Sequence, residues 1–483
     1  MKLDKLIPDA PADAGSVEIK GLTADSRKVK PGFLFAALQG VAKDGREYID
    51  GAILSGASAI LTDDRAGSWS VPAVLSNEPR LALAKASAAF YPNQPAVVAA
   101  VTGTNGKSST VDFLRQIWAG MGRKAASMGT LGAIGPSGSV DLGHTTPDPV
   151  AIHETLDKLA REGVTHLAME ASSHGLSQYR LDAVKLSAGA FTNLTQDHLD
   201  YHKDFEDYRR AKMRLFTELL PKGQPAVINA DSPELETFQA AAKAAGLKPF
   251  TVGWRGRDLR ISEALPRGTG QDLVIQWGDD GANERTVHLP LIGEFQALNA
   301  LCAAGIALSL GDDVNAILDG LGKLNGVHGR LELVGQTAAK APVFVDYAHT
   351  PDGLNVLLRA ARPHVRGKLI VVFGCGGDRD ATKRPIMGDV ARRLADEVIV
   401  TDDNPRSEEP AKIRAAIKKG APDASEIGDR ASAIFEGIKR LKAGDALLIA
   451  GKGHETGQIV KGVTIPFSDF DVARKALAEE GAA

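Results

Sequence analysis

Residues 98–109 read Val-Ala-Ala-Val-Thr-Gly-Thr-Asn-Gly-Lys-Ser-Ser. An apolar strand runs into a glycine-rich turn that ends in Lys107 and Ser108, and a helix-compatible stretch follows over 110–118. That order builds a phosphate cradle, because the N–H groups of the turn and the positive end of the helix face an anion. The lysine adds a mobile charge for β- and γ-phosphates, and the serine hydroxyl reaches Mg²⁺. The stretch predicts an ATP or GTP site at the end of a strand. The full P-loop spacing has glycine six positions before the lysine. Val101 stands there, so the match is partial.

The rest of the chain bounds what surrounds this loop. A length of 483 residues suggests about three domains. Apolar residues at 43% and charged residues at 24% are ordinary for a globular protein. A formal net charge of −3 argues against a nucleic-acid surface, which is normally basic. No apolar run of about 18 residues predicts a membrane span, and Met1-Lys2-Leu3-Asp4-Lys5 leads no secretory h-region. Cys302 and Cys375 stand far apart and make no disulfide framework, which fits a reducing cytoplasm. Cys375 lies among glycines and is expected to be a small buried residue.

Three blocks follow from the pattern: 1–94, closing in Tyr91-Pro92-Asn93-Gln94-Pro95, then 95–328 and 329–483. Strands are expected over 167–169, 188–191, 343–345, 369–373, 398–400 and 447–450, with helices between them such as 353–361. Strands alternating with helices predict an α/β fold with parallel sheets covered on both faces. The polar, glycine-rich stretch 254–287 fits a small antiparallel insertion or an irregular excursion.

Nearly every apolar strand runs into reactive residues. Met169 precedes Glu170-Ala171-Ser172-Ser173-His174, and Phe191 precedes Thr192-Asn193 and then Asp197-His198. Val345 leads to Asp346-Tyr347-Ala348-His349, Phe373 to Gly374-Cys375-Gly376-Gly377-Asp378-Arg379, Val400 to Thr401-Asp402-Asp403-Asn404-Pro405-Arg406, and Ala450 to Gly451-Lys452-Gly453-His454-Glu455. Open α/β sheets bind ligands outside the carboxyl ends of their strands, so two such sheets imply two domains closing on one site. Glu170 and His198 are candidate Mg²⁺ ligands beside Ser108, because a triphosphate under attack needs its charge neutralised. Asp346 either accepts from a ribose hydroxyl or caps a helix beginning near Asp352. Arg330 is either a phosphate contact or a surface arginine. Asp403-Asn404-Pro405-Arg406, with Arg379, fits recognition of an amino acid's ammonium and carboxylate.

The chain resembles the Mur ligases, ATP-dependent amide-forming enzymes of bacterial peptidoglycan synthesis. The resemblance rests on residues 102–108, Thr145-Thr146-Pro147-Asp148, 170–176, Asn193 with Asp197-His198 and Tyr201-His202, 346–351, 403–406 and 451–455. It implies three domains: a smaller N-terminal α/β domain for the uridine nucleotide, a central P-loop parallel-sheet ATPase domain, and a C-terminal Rossmann-like domain for the incoming amino acid. It implies that Gly103, Thr104, Asn105, Gly106, Lys107, Ser108 and Ser109 cradle ATP, with Asn299, Arg330 and Asp346 as further nucleotide contacts. Ser26, Thr145, Thr146, Ser172, Gln178 and Arg180 match contacts to a UDP-muramoyl dipeptide. Lys212 matches a lysine that the family carries as a carbamate (N6-carboxylysine), and with Ser108, Glu170 and His198 it would serve Mg²⁺. Arg379, Asp403, Asn404, Pro405, Arg406, Gly451 and Glu455 match a meso-diaminopimelate site rather than one for L-lysine. Two positions depart from the family pattern: His144 for asparagine before Thr-Thr-Pro, and His328 for proline before Gly-Arg. The expected chemistry is an acyl phosphate on a D-glutamate carboxylate, attacked by an amine, in a monomeric cytoplasmic enzyme. An L-lysine-adding ligase and a folylpolyglutamate synthetase are the competing enzyme readings, and a nucleotide-driven switch is the non-enzymatic one.

Overall fold

The computed structural model describes residues 1–40, 43–64, 67–195 and 201–481. The chain forms two compact units, Met1–Arg260 with Leu301–Ile317, and Ile261–Ala300 with Leu318–Ala483. Among the described residues, no helix is long and apolar enough to cross a membrane.

In the first unit, four parallel strands, Gly21–Thr23, Phe33–Ala36, Ala59–Thr62 and Ala73–Leu75, lie side by side in chain order. A second sheet carries the phosphate loop. Val97–Thr102 sits between His166–Glu170 and Ala188–Phe191, both parallel to it. Pro225–Asn229 and Lys248–Gly253 continue the parallel order on one side, and Ala125–Gly129 continues it on the other. Val97–Thr102 reads Val-Val-Ala-Ala-Val-Thr, almost wholly buried, as a strand covered on both faces must be. Val101 pairs with Glu170 and with Ala190, so the residue that breaks the glycine pattern is a core strand position.

The helix expected over 110–118 begins earlier, as Lys107–Gly120. Gly106, at φ +85°, ends the turn in the left-handed region and makes Lys107 the first helical residue. Helix Pro149–Arg161 starts on a proline, and the Asp148 carboxylate accepts the N–H groups of Val150 and Ala151. This helix buries Ile152, Leu156 and Leu159 against the central sheet. It also buries His153, 2% exposed, whose burial pushes the imidazole down to about 4. A group whose folded pKa lies below its ordinary value stabilises the fold above that ordinary value and ceases to do so as pH falls. His153 therefore contributes a loss of up to about 3 kcal/mol in unfolding free energy between pH 6.5 and 4. His153→Asn flattens that part of the profile, as denaturant melts at stepped pH will read.

In the second unit, six strands run in the order Glu332–Gln336, Pro342–Asp346, Ala446–Ala450, Leu369–Phe373, Glu397–Val400, Ser425–Glu426. The first pairing is antiparallel and the others are parallel. Helix Pro351–Ala361 is capped by Thr350, whose hydroxyl accepts from the Gly353 N–H. The capping alternative for Asp346 is thereby removed. The stretch 254–287 holds strand Gly270–Trp277 and most of its antiparallel partner Asn283–Leu289. Cys375 is buried with its Sγ 3.6 Å from Met387 Sδ, as its small apolar character implies.

Candidate active site

The phosphate loop is braced from the neighbouring strand end. Thr104 N–H donates to Asn193 O at 2.9 Å and Asn105 N–H to Asn193 Oδ1 at 2.9 Å, while Thr192 Oγ1 donates to Asn105 O at 2.6 Å. A Cβ on Gly103 would lie 2.0 Å from Thr192 Oγ1, so only glycine allows this close approach. No side chain caps helix Lys107–Gly120, so the positive end of the helix faces the loop and suits an anion there. Lys107 Nζ folds over the loop and donates to Gly103 O and Thr104 O, both at 2.8 Å.

Lys212, on helix Phe205–Arg214, is 1% exposed and donates to the same Gly103 carbonyl at 2.8 Å. Its ammonium lies 4.4 Å from the centre of the Tyr208 ring, and the Tyr208 hydroxyl bonds Thr104 Oγ1 at 3.0 Å. Two ammonium groups thus share one backbone oxygen. Nothing local brings Lys212 to the loop, because a lysine on a helix is normally solvated; the contact is tertiary.

Glu170, 3% exposed, ends the strand beside Val101. Its carboxylate accepts from Thr130 N–H at 2.8 Å and Thr130 Oγ1 at 3.4 Å. Thr130 Oγ1 reaches Thr145 Oγ1 at 3.0 Å. Thr146 Oγ1 donates to Glu170 O and accepts from Ser172 N–H, and Arg180 donates to Thr146 O at 2.6 Å. Thr145, Thr146, Ser172, Arg180 and Glu170 therefore form one bonded patch. His144 is exposed beside it. His198 and Asp197 lie outside the described residues. Among the described residues, no group of three His, Cys, Asp or Glu is gathered for a metal.

From this patch a cavity of about 470 Å³ opens, lined by Ser26, Gln178 and Arg180 and also by Lys43, Tyr48, Arg80 and Asp148. Gln178 Oε1 accepts from Arg180 at 2.8 Å and from Arg80 at 3.5 Å. Burial pushes the Arg180 guanidinium below its ordinary value; Asp148 opposes the shift and Arg80 adds to it. Two guanidinium groups on one amide oxygen make an anion-seeking wall. Arg80, Lys43 and Tyr48 escaped the sequence reading because each stands alone among ordinary neighbours.

The second unit gathers the remaining nucleotide candidates. Asn299 Nδ2 lies 3.5 Å from Gln296 Oε1, and Gln296 Nε2 donates to Arg330 O at 3.0 Å. The Arg330 guanidinium stacks 4.7 Å from the Tyr347 ring centre. Asp346 accepts the N–H groups of Leu331 and Ala348, each at 2.7 Å. Burial pushes the Asp346 carboxyl up, and Arg330 and the two amides hold it back. His328 pairs with Glu332 at 2.9 Å, which raises its pKa.

At the end of strand Glu397–Val400, residues 403–406 form a rigid turn. Asn404 and Arg406 sit at φ +43° and +52°, a costly region for non-glycine residues. Asn404 Oδ1 accepts from Lys452 Nζ at 3.1 Å and Ile459 N–H at 2.9 Å, and its Nδ2 donates to Glu455 Oε2 at 2.8 Å. Arg406 donates to Gly377 O at 2.9 Å. A Cβ on Gly451 would lie 2.4 Å from Asp403 Oδ2, so a glycine keeps the space before that carboxylate open. Arg379 is exposed on the adjoining loop. Lys452, wholly buried, stood inside the 451–455 stretch but was not singled out as a site residue.

The chain matches three family descriptions in succession. These are Mur ligase family, catalytic domain, over residues 18–103; Mur ligase middle domain over 101–307; and Mur ligase, glutamate ligase domain, over 329–453. It is 51% identical over 485 residues to the UDP-N-acetylmuramoyl-L-alanyl-D-glutamate–2,6-diaminopimelate ligase of Bradyrhizobium diazoefficiens, covering 99% of each chain. It is 53% identical over 469 residues to the protein of the same name from Caulobacter vibrioides, covering 95% of each. A solved ligase of that name superposes with a TM-score of 0.77 at 32% identity over the whole of both chains. A MurF ligase from Thermotoga maritima, solved with ADP, shares the fold at 18% identity and a TM-score of 0.63, covering 96% of this chain and 98% of its own. The chain belongs to the Mur ligase family.

Proposed function

We propose that this chain is an ATP-dependent amide ligase that adds meso-2,6-diaminopimelate to the D-glutamate carboxylate of UDP-N-acetylmuramoyl-L-alanyl-D-glutamate, in cytoplasmic peptidoglycan precursor synthesis. The observation that carries this reading is end-to-end identity above half with ligases of that name. The proposed division of labour gives residues 1–94 chiefly to the nucleotide substrate, 95–328 chiefly to ATP and 329–483 chiefly to the amine donor.

The chemistry needs little covalent help from the protein. A carboxylate is a poor acyl donor, and a phosphoryl group from ATP makes its oxygen a leaving group. The amine then attacks the acyl carbon, and the tetrahedral species collapses to amide and phosphate, with ADP already formed. The protein positions and neutralises. The uncapped N-terminus of helix Lys107–Gly120 faces the phosphate oxygens, and the Lys107 ammonium leaves its two carbonyls for the transferring group. Arg80 and Arg180 suit the diphosphate of the nucleotide substrate, with Ser26, Gln178 and the Thr145–Thr146–Ser172 patch along its length. Asn299, Arg330 and Asp346 serve the nucleoside of ATP.

A Mg²⁺ ion fits the donor set of Ser108 and Glu170, since a hydroxyl and a carboxylate are hard oxygen ligands. When bound it supplies charge neutralisation at the phosphates. Lys212 is read as a carbamate. Two ammonium groups on one carbonyl repel, and a carboxylated Lys212 would become a counter-charge to Lys107. His198 completes the reading as a ligand.

Phosphate release with UDP-muramoyl dipeptide, ATP and each amine donor tests the function. With meso-diaminopimelate, turnover is expected. With L-lysine, kcat/KM should be lower by about 10³-fold or more, because a donor lacking the distal carboxylate leaves a guanidinium unpaired. Faster release with L-lysine overturns the donor assignment.

A further inference from the structure

Behind the 403–406 turn lie charges to which the proposed reaction gives no task. Arg430 and Asp469 form a two-pronged buried pair at 2.7 Å, neutral in itself, and Arg430 also donates to Ala450 O at 2.9 Å. Lys452 is different. Its wholly buried ammonium lies 3.1 Å from Glu455 Oε2, 3.6 Å from Asp403 Oδ1 and 3.1 Å from Asn404 Oδ1. Lys452 therefore faces two carboxylates, which Arg430 also senses while its own charge is matched by Asp469. Among the described residues, the buried Asp403 carboxylate receives no hydrogen bond; the Lys452 ammonium is its only ion partner. The glycine at 451 keeps the approach to Asp403 Oδ2 clear. Close by, the Arg406 guanidinium is tethered to the carbonyls of Gly377 and Asn404 rather than to a carboxylate. The site thus offers one anion in excess and one cation without a carboxylate. That is the complement of an ammonium and a carboxylate on one carbon.

We propose that Lys452 is a positioning residue for the amine donor. Its ammonium fixes the Asn404 amide by donating to Oδ1, so that Nδ2 turns to Glu455. It also bridges the Asp403 and Glu455 carboxylates, a pair one positive charge short. The donor's distal ammonium supplies that charge, while Arg406 takes the distal carboxylate. Lys452 itself touches no substrate. The role rests on the diaminopimelate reading of this turn. Removing a buried partner in such a group leaves the others unpaired, which is costly at binding sites.

The test uses the full chain and steady-state phosphate release with all three substrates. Lys452→Met keeps the stem and removes the charge. The expected result is a rise of about 30-fold or more in KM for meso-diaminopimelate. The expected fall in kcat is less than about threefold, and the KM values for ATP and the nucleotide dipeptide should stay within about twofold. Lys452→Arg, which retains the charge, recovers at least about tenfold of the loss. Lys452→Gln keeps a donor for Asn404 without charge; it carries the same expectation as Lys452→Met and is read in its place where the methionine variant does not fold. A donor KM unmoved in the neutral variants overturns the proposal. So do equal rises in all three KM values, or an arginine variant no better than methionine. Wild-type protein that prefers L-lysine defeats the donor reading instead. Wild-type turnover with meso-diaminopimelate and an unmoved variant KM defeats the role of Lys452 alone.

Discussion

Lys107→Ala lowers donor-dependent phosphate release by at least about 10³-fold, which corresponds to about 4 kcal/mol of lost transition-state stabilisation. The lysine lies over the loop with both hydrogen bonds given to loop carbonyls, Gly103 O and Thr104 O. Those bonds are replaceable by water at a half-buried position, so the fold does not depend on them. The phosphates of ATP compete for the same ammonium. In phosphoryl transfer the charge spreads over the equatorial oxygens, and a fixed cation is worth most at that moment. The variant should keep its melting temperature within a few degrees and lose turnover. The readout is phosphate release at saturating substrates beside a thermal melt. Turnover within tenfold of wild type would show that the loop at 102–108 does not hold the transferring phosphate.

Arg406→Ala raises KM for meso-diaminopimelate by about 100-fold or more, and narrows the preference over L-lysine by a similar factor. Arginine binds carboxylate through two parallel N–H bonds, and the Gly377 and Asn404 carbonyls tether only one terminal nitrogen of this guanidinium. L-Lysine has no distal carboxylate, so its weak use should change little. ATP binding is expected to survive, as calorimetry with a non-hydrolysable analogue will show. An unchanged ratio of the two donors would remove Arg406 from the specificity pocket.

Much of this was legible in the residues, for identifiable reasons. Glycines and a lysine at fixed spacing after a buried strand leave few alternatives, and the loop stands where the spacing put it. The reactive residues also follow the carboxyl ends of interior strands in parallel order, as the alternation of strands and helices implied. What escaped detection shares one property: it depends on distant chain segments. Arg80 meets Gln178 across 98 residues, and Lys212 meets Gly103 across 109. Lys452 reads locally as a loop lysine, and only the fold encloses it between Asp403, Asn404 and Glu455. At Asp346 the residues alone left two roles open, and the fold removes one. A carboxylate before a helix invites a capping role, yet Thr350 stands one residue before Pro351 and takes it. The helix after the phosphate loop was expected to start late because a left-handed Gly106 does not announce how soon the turn closes.

The left-handed backbone at Asn404 and Arg406 has a consequence for directed evolution. Glycine at position 406 would relax the local conformation at the cost of two carbonyl tethers and so can be favoured in a heat-tolerance screen, whereas at 404 it would also strip partners from Lys452, Glu455 and the Ile459 N–H. Either change would also delete a side chain that sorts one amine from another. Libraries of this enzyme ranked by thermal robustness alone will therefore enrich sturdy but indiscriminate catalysts, and a counter-screen on donor choice is needed from the first round.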